Sequence, residues 1–294
     1  MVLSEIRFHS PQTIAEVFKL LEKYKEAKIV AGGTDLLVDI KQGLREAGDI
    51  VSLYKIEELK GIRKKDKGIR IGAMVTVQQI ITDALISQYI PAVADAAKSM
   101  ASYHIRSMAT IGGNISSAVP SADLPPSLIA AEATVELRCS ESSRRVTLSE
   151  FFRGPRETIC QTGELLTFIF VPLPPSRTGI SYQKFALREA NALAVASVAS
   201  RLTLKDRKIE RAAIVLGAVA PTPVLALKTS EFLCGKEPSP SLFEKAGLMA
   251  KEEAKPISDI RGSIWYRKEL ISILTRRALV EALAQAQGKT GPGK

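Results

Sequence analysis

Two segments of this chain share a residue pattern suited to holding an anion. Ile29-Val30-Ala31-Gly32-Gly33-Thr34-Asp35-Leu36 and Thr110-Ile111-Gly112-Gly113-Asn114 each set a Gly-Gly pair after an apolar stretch and follow it with a small polar residue. Glycine reaches positive φ at little cost and leaves no Cβ in a ligand's path. Successive amides in such a turn form a concave nest for phosphate oxygens. Thr34, Thr110 and Asn114 could add side-chain hydrogen bonds. Two turns from distant parts of the chain could thus grip a diphosphate from both sides without a lysine at the bridge. The plainer reading, in which each pair only ends a strand, loses weight because the pattern occurs twice.

Competing chemistries fit less well. The chain has no GxxxxGK[ST] P-loop and no GxGxxG between a strand and a helix, which argues against a P-loop NTPase and a dinucleotide-binding Rossmann unit. Its cysteines, Cys139, Cys160 and Cys234, are far apart and form no CxxC, and its only histidines are His9 and His104. An iron–sulfur or zinc site built by this chain alone is therefore not expected. The cysteines read as buried small hydrophobes. His9 and His104 read as structural, and Trp265 and Tyr266 as core or interface residues.

The elements around these segments follow from periodicity and punctuation. Ser10-Pro11 predicts a helix start, with Ile14, Val17, Phe18 and Leu21 at helical spacing. Strands are expected at Lys28–Ala31 and Asp49–Leu53, giving a small β-α-β unit. A hairpin over 61–71 turns at Asp66-Lys67-Gly68. Thr76 and Gln79 predict a capping box for a helix running toward Ser87, with another helix from Pro91. Leu128–Ala131 reads as helical, and Thr134–Cys139, Arg144–Leu148 and Leu165–Val171 as strands. Pro172, Pro174 and Pro175 mark a linker. Beyond it, Ile180–Arg188, Ala194–Leu204 and Ile209–Val219 predict a three-stranded meander, followed by helices, the last striped by Leu270, Ile271, Leu274, Ala278, Val280 and Leu283.

Bulk properties set the frame. The 294 residues, 46% of them hydrophobic, suit two domains with a sizeable core. The net charge of +10 comes from scattered lysines and arginines, which favours a solvated surface, or a face for an acidic partner subunit, over a nucleic-acid groove. There is no apolar signal core and no 18-residue apolar run, so no membrane span and a cytoplasmic location are expected.

The same residues carry a family resemblance. Ala31-Gly32-Gly33-Thr34-Asp35-Leu36, together with Ile105-Arg106 leading into Thr110-Ile111-Gly112-Gly113-Asn114 and with Pro120, Asp123 and Pro125-Pro126 beyond, resembles the FAD-binding medium subunit of the molybdenum hydroxylases. That family includes the flavin subunits of aerobic carbon monoxide dehydrogenase and bacterial xanthine dehydrogenases. The likeness spans nearly the whole chain and extends to Asp259-Ile260-Arg261-Gly262-Ser263, Tyr266-Arg267 and Arg276-Arg277-Ala278-Leu279.

The resemblance implies an α+β chain. A two-part FAD-binding domain of PCMH/VAO type covers 1–175, divided at about 57 into a small β-α-β unit and a mixed α+β sheet unit. A C-terminal domain with a three-stranded antiparallel sheet and helices covers 176–288, and 289–294 form a flexible tail. Ile29 to Leu36 and Thr110 to Asn114 match the two diphosphate-binding segments. Asp123 matches an acidic residue that contacts FAD, where a carboxylate suits ribityl or ribose hydroxyls. Leu165 or Leu166 matches an apolar contact. Lys184 matches a lysine near the isoalloxazine ring, where a cation favours the anionic reduced flavin.

Where the family reads Asn and Gly ahead of the second segment, this chain has Ser107 and Ala109. Ala109 is harmless unless that backbone needs positive φ. The implied function is electron relay: FAD on this chain, the molybdenum cofactor on a large partner subunit, and [2Fe-2S] clusters on a small one. The assembly is a heterotrimer or its dimer, with NAD, a quinone or oxygen as final acceptor. A stand-alone FAD oxidase or reductase is the alternative. Gly113→Val is expected to abolish flavin retention, because a branched Cβ would block the phosphate's approach. Normal flavin stoichiometry in the purified variant would mean that the second segment is misassigned.

Overall fold

The computed structural model describes residues 6–288, so the expected tail at 289–294 lies outside the described residues. The chain begins with a parallel unit. It comprises β1 (Ile6–His9), α1 (Ile14–Lys23), β2 (Lys28–Val30), α2 (Leu36–Lys41) and β3 (Gly48–Ser52), with strand order β1-β3-β2. Neither β1 nor α2 was anticipated. β1 is short and mostly exposed, with little alternation to read, and α2 is six residues long. The first helix begins later than Ser10-Pro11, because Thr13 caps it by accepting from the Glu16 amide.

A five-stranded antiparallel sheet follows, built by Ile62–Lys65, Gly68–Gly72, Leu165–Pro172, Thr134–Arg138 and Ser143–Thr147 in that spatial order. β4 (Ile62–Lys65) and β5 (Gly68–Gly72) form the expected hairpin, with Asp66 at φ 53° in its turn. Then come α3 (Val77–Thr82), α4 (Ala84–Tyr89), α5 (Pro91–Lys98), α6 (Tyr103–Met108), α7 (Ile111–Ser116) and α8 (Leu124–Ala130). The predicted capping box is present on α3. The single helix expected from Thr76 to Ser87 is instead two, because the Asp83 carboxylate accepts from the Leu85 and Ile86 amides and caps a new helix. The unit closes with β6 (Thr134–Arg138), β7 (Ser143–Thr147), α9 (Leu148–Phe151), the small hairpin β8 (Phe152–Gly154) and β9 (Glu157–Thr158), and β10 (Leu165–Pro172).

The C-terminal sheet pairs β11 (Thr178–Phe185), β12 (Ala196–Lys205) and β13 (Lys208–Gly217) in the expected meander. The tight turn holds Asp206 at φ 48° and Arg207 at φ 67°, as a two-residue hairpin loop requires. A fourth, two-residue strand, β14 (Val224–Leu225), extends the sheet. Helices α10 (Leu227–Leu233), α11 (Pro240–Glu253) and α12 (Ile264–Ala286) complete the chain. One apolar core runs from β5 and β10 through α5, α7 and α8 to Ile180, Tyr182, Ala199 and Val215, so the last two sheets share a helical layer. Trp265 is 70% exposed and fills no core, while Tyr266 meets Phe185 edge-to-face. None of the three cysteines is fully buried, contrary to expectation.

The C-terminal unit is tied together by a buried guanidinium. Arg267 is 2% exposed and donates from Nη1 to the carbonyls of Val195 and Ala218 and from Nη2 to Asp259 Oδ1 at 2.6 Å. Burial pushes the Asp259 carboxyl up, but hydrogen bonds from Arg261 and Arg267 outweigh it and hold the group well below the usual carboxylate range. A depressed carboxylate stabilises the fold above its unfolded value, near 3.9, and loses that contribution as pH falls toward the folded value. Asp259→Asn should therefore cost about 2 kcal/mol at neutral pH, chiefly by leaving the Arg267 charge unpaired. Urea unfolding should show the deficit shrinking below about pH 4. A deficit constant with pH would contradict this assignment.

Candidate cofactor-binding site

The two diglycine segments meet. A cavity of about 650 Å³ opens between the parallel unit, helices α6 and α7, the β8–β9 hairpin, the start of β10 and the loop at Asn191–Leu193. Its size suits a nucleotide-sized ligand. Every residue from Ile29 to Leu36 lines it, as do Thr110, Gly112, Gly113, Asn114, Asp123, Leu165 and Leu166. Ile111 and Lys184 do not: Ile111 is buried in the core, and Lys184 stands behind Asp123.

The four glycines serve different purposes. Gly33 takes φ +72° and turns the chain from β2 into α2. A Cβ on Gly32 would overlap the carbonyl oxygen of Met108, so this residue is where the first segment presses flat on the backbone ahead of the second. On Gly112 a Cβ would stand 2.7 Å from the Ala73 carbonyl oxygen. At Gly113 it would lie 3.9 Å from the Ala31 Cβ, in the gap between the two segments.

The second segment is not the phosphate-nest turn that its composition suggested. It forms the first turn of α7, capped by Thr110, and its amides are already engaged. Ile111 N donates to Val75 O, Gly112 N to Ala73 O, Gly113 N to Thr110 Oγ1 and Asn114 N to Thr110 O, at 2.9 to 3.1 Å. In the first segment, the amides of Gly32, Gly33, Thr34, Asp35 and Leu36 donate to no protein group among the described residues. The free donors are therefore concentrated on one side. What the second segment offers is the Asn114 side chain, whose buried Oδ1 has no partner while its Nδ2 lies 3.9 Å from Met100 Sδ. Ala109, ahead of it, sits at φ −59°, so alanine is unstrained there.

Asp123, 5% exposed, heads α8 without capping it and turns its carboxylate to a buried pair. Oδ1 accepts from Tyr182 Oη and Oδ2 from Lys184 Nζ, both at 2.9 Å, and Lys184 also donates to the Ser99 carbonyl. Burial pushes the Asp123 carboxyl up, against the pull of Lys184 and Tyr182. The Tyr182 hydroxyl is pushed well above its usual value by burial and by the Asp123 charge. Lys184 is thus a buried counter-ion, not a surface lysine. Tyr182, unnoticed in the sequence, completes the group. Alternation along β11 puts both residues on one face, a signal that strand periodicity alone leaves without chemistry.

At the far end, Glu164 takes a two-point contact from Arg144 (2.7 and 2.8 Å), which holds its carboxyl below the usual range. Leu165 and Leu166 line the wall beside it. Arg45, Asp39 and Arg156 also line the cavity, and sequence reasoning missed all three. His104 is exposed and outside the cavity, and His9 stacks on Tyr24 and meets Asp49. Among the described residues no group of three or more His, Cys, Asp or Glu could hold a metal ion. No described helix is long and apolar enough to cross a membrane.

A cavity that combines unengaged amides, a partnerless amide carbonyl and a buried carboxylate suits a nucleotide bearing both phosphate and hydroxyl groups. The FAD binding domain in molybdopterin dehydrogenase matches residues 4–174, and the CO dehydrogenase flavoprotein C-terminal domain matches residues 181–282. The chain belongs to this family of FAD-binding subunits of molybdenum-containing dehydrogenases, and is an oxidoreductase component.

The carbon monoxide dehydrogenase medium chain of Afipia carboxidovorans is 33% identical over 98% of this chain and 100% of its own length. The xanthine dehydrogenase FAD-binding subunit of Escherichia coli O157:H7 is 30% identical over 96% and 97%. The structure of carbon monoxide dehydrogenase from Hydrogenophaga pseudoflava superimposes with a TM-score of 0.93 at 29% identity, covering 97% of this chain and 99% of that one.

Removing the Lys184 ammonium should leave the Asp123 carboxylate buried and short of a partner. Lys184→Met is expected to lose about 3 kcal/mol in urea unfolding of the cofactor-free chain, and Asp123→Asn in the same background should recover part of the loss. A single variant as stable as the parent would show that the pair carries no such strain.

Proposed function

We propose that the cavity holds FAD and that the chain is the electron-relay subunit of a molybdenum hydroxylase. The observation that carries this reading is that Gly32 to Leu36, whose amides donate to no protein group among the described residues, line a cavity also lined by Asn114, whose buried Oδ1 has no partner. Bound FAD would supply two-electron redox chemistry with one-electron steps available to it. The amides of Gly32 to Leu36 would hold the diphosphate, with Thr34 adding its hydroxyl. Thr110, Gly112 and Gly113 would form the wall opposite, and Asn114 Oδ1 would accept a ligand N–H or O–H. Asp123 would accept from ribityl or ribose hydroxyls, and Leu165 and Leu166 would give apolar contact. Ile111 would serve from behind by seating α7. Lys184 would act through Asp123, keeping that carboxylate ionised beside the flavin; Tyr182 would orient it.

In this reading the chain contributes binding, exclusion of water and electrostatics, while other centres lie on partner chains. The relatives are called medium chains and FAD-binding subunits, which supports a small [2Fe-2S] partner and a large partner carrying the molybdenum cofactor, in a heterotrimer or its dimer. Electrons would come from the iron–sulfur clusters and leave to NAD, a quinone or oxygen. The same reading divides the chain near residue 175. It also places the protein in the cytoplasm, where free Cys139, Cys160 and Cys234 suit a reducing compartment.

The test is purification of the chain with its co-expressed genomic neighbours. A complex containing molybdenum, iron and FAD, whose flavin is bleached by an organic substrate and recoloured by an acceptor, is expected. A chain that purifies alone and oxidises an organic substrate unaided would contradict the relay role and favour a self-sufficient flavoenzyme.

A further inference from the structure

The cavity wall carries a cationic feature that neither diglycine segment explains. Asp39 on α2 is 5% exposed, and its Oδ2 accepts from Arg156 Nη1 at 2.7 Å and lies 3.3 Å from Arg45 Nε. All three residues line the cavity, and both arginine side chains remain about half exposed, at 46% and 48%. A guanidinium has five N–H donors. Asp39 occupies one from Arg156 and approaches one from Arg45, so most of the donors are left over.

The other ionised groups on this wall offset one another, in two ion pairs and in one cation and one anion, Lys28 and Asp35, that contact neutral groups. Asp123 is paired with Lys184, Glu164 with Arg144, and Lys28 donates to the Ala47 carbonyl. Asp35 accepts from the Ser117 hydroxyl at 2.7 Å. Two cations on one carboxylate therefore form a local positive excess one helical turn past Asp35, next to the free amides.

Arg156 also occupies a position that disfavours it. It sits at φ +62° in the turn between β8 and β9, a conformation that suits glycine. The turn is fixed, because the Arg156 amide donates to the Ala118 carbonyl just beyond α7 at 2.9 Å. The hairpin thus delivers its guanidinium across the cavity to the parallel unit, at a backbone site where glycine would be less strained. A nearby cation strengthens diphosphate binding by backbone amides, and the engaged amides of the second segment add no donors of their own.

We infer that Arg45 and Arg156, aligned by Asp39, form the cationic seat for the diphosphate of the flavin nucleotide. The inference rests on the FAD reading of the cavity and adds to it the charged residues that balance the ligand. Asp39 is a positioning residue: it holds two like charges side by side and leaves most of their donors unengaged by it.

The test uses the full chain stripped of flavin, with FAD and riboflavin as probes and binding followed by flavin fluorescence. Arg156→Gly relieves the left-handed φ and leaves Arg45 on Asp39, so the fold should survive, with a thermal midpoint no lower than the parent's. Its FAD Kd should rise about tenfold, as expected for loss of one charge-assisted contact. Arg45→Gln should weaken FAD similarly, and both should flatten the salt dependence of FAD binding. Riboflavin, which has no phosphate, should bind the variants and parent alike. FAD affinity within twofold of the parent in both variants, with the parent binding FAD normally, would overturn the cationic seat and leave the FAD site standing. Equal weakening of riboflavin would also overturn it. A parent chain that binds no FAD would overturn both.

Discussion

The contact on which this structure depends is a backbone-to-backbone approach that only glycine permits. Gly32 lies against the Met108 carbonyl and the Ala109 Cα so closely that any side chain would collide. That contact brings the end of β2 to the start of α7 and so joins the parallel unit to the antiparallel one. α7 is fixed from its other side, where its first amides bond the Ala73 and Val75 carbonyls and Gly112 sits hard against Ala73. The cavity is the space left when two rigid units are closed at one seam. The residues of the Gly33 turn line that space, and the amides from Gly32 to Leu36 donate to no protein group among the described residues.

Around the seam the polar groups are organised in neutralised sets. Asp123 is buried with Lys184 and Tyr182, and Glu164 is held by Arg144. Each set would cost stability if one member were removed, so a cavity with this much buried charge is maintained only as a whole. The Asp39 cluster differs in leaving a charge over. An apolar or purely neutral cavity would bind the ring system of a flavin; a diphosphate-bearing ligand asks for the asymmetry seen here. Such an arrangement suits a subunit that binds and tunes a redox cofactor while its partners perform substrate chemistry.

Much of this was legible in the sequence, for identifiable reasons. Strands with clear alternation, the Thr76–Gln79 capping box and the Asp66-Lys67-Gly68 turn are local signals, and local signals were enough. Both diglycine segments stand out in the sequence, and each holds a glycine, Gly32 or Gly112, that a close backbone contact demands. Their chemistry was only half read, since composition cannot tell a turn with free amides from a helix start whose amides bond distant carbonyls at Ala73 and Val75. Lys184, expected near the isoalloxazine ring, is salt-bridged to Asp123 and does not itself line the cavity, an arrangement with no signature in a strand. Arg156 and Asp39 are 117 residues apart, and their pairing depends on how the units close. Trp265, expected in a core or an interface, is in no core of this chain, because α12 buries the opposite face.

The central claim, that the amides from Gly32 to Leu36 are the diphosphate's donors, can be read directly by hydrogen exchange of the chain with and without FAD. The account predicts strong protection of these amides on FAD addition. The amides of Ile111 to Asn114, engaged already, should be protected before FAD arrives and change little. Fast exchange from Gly32 to Leu36 that FAD leaves unaltered would contradict it.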